Sequence, residues 1–384
     1  MEAFKKQIDS NTIILGFFLG VLVFIRSQPF YFWPYEDTIR PICAILILGI
    51  CVTNLSKEKW SKWVFLCLSI AYIWAVLVVD HSGIVTLFNF VAFAFIPVIR
   101  KDLVFSTYSV YRRLLIIVLA LSLINYLLVL TGVVSTSTTI DPLNSAKSYN
   151  YYRYPFLVQS NVINFVRFHG VFDEPGVVGT ICGMILIAER MAFRRIGNIV
   201  LLIAGLFSLS FYFYVALFFG LVLFSSGLKH RWSILLLFAI IAFVSYKNDF
   251  MYDQIWHRFE WDAEASAFVG DNRSSDSLDA YYDSIKWTLP FFVGSGTAIA
   301  KEYIASASLK LIVIKHGLVF VLLNILGYIL LSSKVIKNKI DLVAFLIFFF
   351  LTLYQRPGFY NTASIFLYTM AIYTFGESNR LQKD

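Results

Sequence analysis

Six side chains spread along this chain carry most of its capacity for chemistry. The stretch RFHGVFDEPGVVG, Arg167 to Gly179, places a fixed cation (Arg167) and a group that titrates near neutrality (His169) ahead of a carboxylate, Glu174. An apolar run follows at once. Arg273 precedes an amphipathic segment, Lys315 sits inside an apolar one, and Arg356 lies in the turn YQRPGFYN. Arginine forks match paired phosphate oxygens, so Arg167, Arg273, Lys315 and Arg356 together suit a diphosphate. Such cations stabilise the charge that builds on a departing diphosphate. Glu174 and His169 are the candidates to take a proton from an attacking hydroxyl. Each residue also has a plainer reading. RFHGVFDEPG is in addition a well-signalled helix start, with Asp173 as the expected cap and Pro175 in the first turn. Arg273 can serve as a surface ion-pair partner, and Lys315 can snorkel outward.

The elements that position these groups are apolar. The chain has 384 residues, of which 59% are hydrophobic and only 15% charged. Soluble domains carry about a quarter charged residues, and several runs here reach the ~20 residues that cross a bilayer core. The expected class is an all-α polytopic membrane protein, a single integral membrane domain over 1–384. Twelve spans are predicted, at 12–32, 39–52, 60–79, 83–99, 114–134, 176–188, 197–209, 211–224, 232–246, 306–331, 342–353 and 363–375. Cys43, Cys51, Cys67 and Cys182 fall within apolar runs and read as small core residues. Residues 1–10 are too polar for a removable signal peptide, so the first span is expected to be retained.

Charge orients the spans. With twelve of them, 19 of the 32 Lys and Arg fall on one side, among them Lys57, Lys59, Arg112, Arg113, Arg194, Lys229, Lys334 and Lys337. By the positive-inside rule that side, and both termini, are cytoplasmic. The pair 197–209 and 211–224 decides the count, because reading it as one helix would move Lys334, Lys337 and Lys339 outside. The net charge of +8 is thus an orientation signal, not a nucleic-acid footprint. Two long loops, 135–175 and 247–305, then share the outer face. Tyr149, Tyr151, Tyr152 and Tyr154 in the first, with Trp287 in the second, suit sugar faces or an interfacial aromatic belt. Neither a phosphate-binding glycine loop with lysine nor a metal-ligand spacing is present, so no cofactor or metal is expected.

At these residues the chain resembles the Wzy-type O-antigen and capsule repeat-unit polymerases and the related O-antigen ligases. The resemblance rests on RFHGVFDEPGVVG, on Arg273 followed by PFFVGSG, on SASLKLIVIKHGLVF and on QRPGFYN. It implies a metal-independent glycosyltransferase with the C-type membrane fold, in the bacterial inner membrane. Such an enzyme joins undecaprenyl-diphosphate-linked oligosaccharide units on the periplasmic face, with Arg167 and Arg273 in the positions of the family's loop arginines. Its implied partners are that lipid-linked oligosaccharide, a Wzz-type chain-length regulator and a Wzx-type flippase. Ligases carry a histidine near the mouth of the span where Ser306 and Ser308 stand here, which favours polymerase. A flippase is the competing class, and the internal repeats expected of one are not seen.

Overall fold

The computed structural model describes residues 9–79, 84–135, 137–141, 151–160, 167–224, 228–249, 252, 256–257, 260–262, 267–268, 275–296, 299 and 308–381. Arg273, Tyr149 and Ser306 lie outside these residues. Each of the twelve apolar segments contains a helix: α1 (Ser10–Arg26), α2 (Glu36–Thr53), α3 (Ser61–Trp74), α4 (Ile84–Phe95), α5 (Lys101–Leu130), α6 (Pro175–Ala188), α7 (Ile196–Phe207), α8 (Phe211–Phe224), α9 (Leu228–Lys247), α12 (Leu309–Val335), α13 (Lys339–Gln355) and α14 (Thr362–Leu381). Two short helices, α10 (Asp276–Ile285) and α11 (Leu289–Val293), lie between α9 and α12. The fold is dominated by helices.

By length and composition alone, two of these helices can cross a membrane, the 30-residue α5 and the 27-residue α12. A third candidate is α1 joined to Phe30–Thr53, a pair bent by 92°. That is fewer than the twelve spans expected. The reason is physical: helices of 12–14 residues such as α6, α7 and α8 rise only about 18–21 Å at 1.5 Å per residue, short of a ~30 Å core.

Small residues let the helices approach. On α1, Gly16 faces Ser106 and Gly20 faces Thr107 and Val110 of α5, where any Cβ would overlap its neighbour. Asp9 opens α1, its carboxylate accepting from the Thr12 amide at 2.6 Å. Thr12 hydrogen bonds hold that carboxyl below its usual range. Helix α6 is buried along almost its whole length. Its start lies near the end of α7, since Phe168 N donates to Phe207 O at 2.9 Å. Its end meets the start of α7 through Asn198 and Glu189, 2.9 Å apart, so the two helices are antiparallel. Gly179 touches Ser210, Gly183 touches Tyr212, and Met191 beyond α6 touches Gly220, so α8 runs parallel to α6. The chain therefore reverses at Ser208–Ser210, where Leu209 takes φ 48°, so 196–207 and 211–224 are two antiparallel helices and not one long one.

Cys43, Cys51, Cys67 and Cys182 are buried and free, as their apolar settings imply. The two long loops hold strands that the sequence reading did not foresee. β1 (Thr138–Ile140), β2 (Tyr151–Tyr154) and β3 (Leu157–Ser160) form an antiparallel sheet, and β4 (Trp261–Asp262) pairs with β5 (Ala267–Phe268). Tyr151 and Tyr154 are buried and Tyr152 is exposed. Two of the tyrosines read as a possible sugar surface are therefore packing residues.

Candidate functional site

The site grows from the first turn of α6. Proline at the first helical position biases the residue before it to extended backbone. Glu174 accordingly takes φ −141°, ψ 140° and is the N-cap residue, with no side-chain cap bond. The cap falls one residue later than expected, not at Asp173. The Glu174 carboxylate instead accepts from Nη2 of Arg356, an ion pair between positions 182 apart. Gly176 makes room for it: a Cβ there would come within 3.0 Å of the guanidinium.

Arg356 is fixed by the turn that follows α13. Its amide donates to Thr352 O at 2.7 Å. The Tyr368 hydroxyl donates to Arg356 O at 3.0 Å and accepts from Gly358 N at 3.3 Å. Asn361 Oδ1 then accepts from the amides of Ala363 and Ser364 and starts α14. Two helix ends and one tyrosine thus hold the backbone of the QRPGFYN turn.

Lys315 arrives from α12. Ser308 caps that helix, its hydroxyl accepting from Leu311 N at 3.4 Å. Lys315 then stands about 10 Å along it at 1.5 Å per residue, shallower than a start at Ser306 implies. The helix breaks two residues later: Gly317 has φ 83°, ψ 160°. Carbonyls freed by the break accept amides from the turn after α11, Ser295 N to Ile314 O at 2.6 Å and Gly296 N to Lys315 O at 3.3 Å. Gly294 and Gly317 pack backbone on backbone, so a Cβ at either would overlap the other strand of chain. This exchange keeps the polar backbone satisfied inside an apolar layer. Lys315 Nζ lies 5.5 Å from the centre of the Tyr360 ring. That ring stacks on His316 at 4.4 Å and on Phe320 at 5.3 Å.

These segments enclose a cavity of about 470 Å³. Arg356, Lys315, Tyr360 and Asp173 line it, and Ser27 and Gln28, at the bend after α1, contribute to another wall. Asp173 is the one acidic residue among the described residues lining it. Of the six side chains singled out from sequence, Arg356 and Lys315 meet at the cavity, with Glu174 held against Arg356. Arg167 stands elsewhere: its Nε donates to Ser208 O at 3.3 Å and its Nη2 to Leu209 O at 3.4 Å, tying the α7–α8 turn. His169 is buried edge-on against Tyr151 and does not line the cavity. The sequence reading missed Asp173 as a cavity residue, although the proline rule already places the cap at Glu174 and so releases its neighbour. It missed Tyr360 too, which no local signal separates from other aromatics.

Among the described residues no group of three or more His, Cys, Asp or Glu is placed to hold a metal ion. No family model, no curated protein and no solved structure matches the chain.

Proposed function

We propose that this protein is a Wzy-type polymerase, joining undecaprenyl-diphosphate-linked oligosaccharide units into O-antigen or capsular polysaccharide at the periplasmic face of the inner membrane. The carrying observation is the cavity, where Arg356 and Lys315 converge from segments far apart in sequence. Most of the segments that line it belong to the outer side in the twelve-span orientation: the end of the first span, the starts of the sixth, tenth and twelfth, and the turn after the eleventh; Tyr111, ahead of the predicted fifth span, is the exception. In this reading a sugar hydroxyl attacks the anomeric carbon of the growing chain, and the bond to the lipid diphosphate breaks. Arg356 and Lys315 stabilise the negative charge that leaves. A glycosyl diphosphate is already an activated donor, so holding donor and acceptor in line supplies much of the acceleration.

A transport reading draws on one observation, the break in α12 at Gly317 beside a cation, since broken helices mark many transporter sites. Here the carbonyls of Ile314 and Lys315 already accept the 295 and 296 amides, so the break is used to dock the turn after α11. Deletion of the gene, followed by gel analysis of surface polysaccharide, separates the classes. One-repeat lipopolysaccharide is the outcome expected. Unattached polymer would point to a ligase, and lipid-linked units trapped inside would point to a flippase.

A further inference from the structure

We infer that Asp173 is the carboxylate that receives the proton of the attacking hydroxyl, an assignment that rests on the glycosyl-transfer reading above. That reaction releases one proton from the acceptor sugar, and the two residues that sequence offers for it are poorly placed. The Glu174 carboxylate is engaged by the Arg356 guanidinium, and protonating it would break the pair that holds that arginine. His169 is buried against Tyr151, away from the cavity lining. Asp173 lines the cavity together with both cations and is the sole acid among the described residues to do so.

Its backbone is fixed from both directions. The Tyr151 hydroxyl donates to the Asp173 carbonyl at 2.7 Å. Phe172 on one side is buried, and Glu174 on the other is tied to Arg356. A carboxylate hung from so constrained a point needs little reordering before it reacts. The two adjacent acids thus divide their work: Glu174 pairs with the Arg356 guanidinium, and Asp173 lines the cavity that the hydroxyl would enter.

The step balances without a further reagent. The acceptor oxygen forms the new bond to the anomeric carbon as the carbon–oxygen bond to phosphate breaks. The electron pair of that bond leaves with the lipid diphosphate, beside Arg356 and Lys315. The hydroxyl proton passes to an Asp173 carboxylate oxygen and from there to water.

The test uses the purified full-length protein with lipid-diphosphate-linked repeat units. It compares the wild type with Asp173→Asn, Asp173→Glu and Glu174→Gln, and follows chain elongation and binding of undecaprenyl diphosphate. Asp173→Asn is expected to lower kcat on the order of 100-fold, with KM and lipid binding within a few-fold of wild type. Asp173→Glu should recover part of the rate. An Asp173→Asn protein with wild-type kcat overturns the assignment. So does one whose lost activity is matched by lost lipid binding or a lowered melting temperature, because the role is then structural. Wild-type protein that binds the lipid diphosphate yet makes no polymer sinks the glycosyl-transfer reading, and this inference with it. Active wild type with active Asp173→Asn sinks the inference alone.

Discussion

Glu189→Gln probes the packing that the whole bundle depends on. Glu189 follows α6, and its side chain is 2% exposed. One carboxylate oxygen accepts from the Tyr108 hydroxyl at 2.7 Å and lies 2.7 Å from Arg112 Nε. The other accepts from Asn198 Nδ2 at 2.9 Å and pairs with Arg195 at 3.0 Å. Three helices, α5, α6 and α7, are joined by this one group. Removing one member of a buried pair costs about 3–5 kcal/mol, because the remaining charge stays desolvated. Arg195 is 39% exposed and can turn to water, so its share is that of a surface pair, at most about 1 kcal/mol. Arg112, at 17%, is less free. Allowing for partial solvation, glutamine should cost about 2–3 kcal/mol, a roughly 30- to 150-fold fall in the folded ratio. Urea unfolding in detergent, followed by tryptophan fluorescence, measures it. A cycle with Arg112→Gln should show the double variant less destabilised than the sum of the singles. Glu189→Gln within 0.5 kcal/mol of wild type, on the scale of an ordinary surface change, would refute the reasoning.

Gly317→Ala is expected to prevent accumulation of folded protein, since its φ of 83° with ψ of 160° suits glycine alone and a Cβ would lie 2.2 Å from Phe292 O. Gly49→Ala is the control: nothing lies within 4 Å of its Cβ, and melting should hold or rise by up to about 1 kcal/mol. Equal melting temperatures for the two variants would contradict the packing at the α12 break. Arg356→Lys keeps charge but loses the fork that can serve Glu174 and a phosphate together; kcat/KM for polymer formation should fall on the order of tenfold, and unchanged kinetics would argue against a phosphate role. Reporter fusions should place residue 262 in the periplasm and residues 229 and 337 in the cytoplasm, and a cytoplasmic signal at 262 would end the twelve-span topology.

The helical segments were legible because apolar runs and basic loops alternate, and both signals are local. The start of α6 was legible as well, but its register followed the capping preference of aspartate when the constraint imposed by Pro175 is stronger. Arg356 and Glu174 were each singled out, but their pairing was not, because nothing local links positions 182 apart. The break at Gly317 was hidden for another reason. Glycine is common inside apolar helices, and only the docking of Gly294 against it shows that this one is not helical. Arg167 is a different case: a cation beside the candidate site in sequence whose guanidinium here donates to the carbonyls of the α7–α8 turn, a contact that no local signal announces.

The central claim is that this chain alone lengthens a lipid-linked glycan. Purified protein in liposomes, given only undecaprenyl-diphosphate-linked repeat units, tests it most directly. The account predicts a ladder of products rising by one repeat, with release of undecaprenyl diphosphate in step with each linkage formed. Units that cross the liposome membrane or remain single, with no lipid diphosphate released, would contradict it.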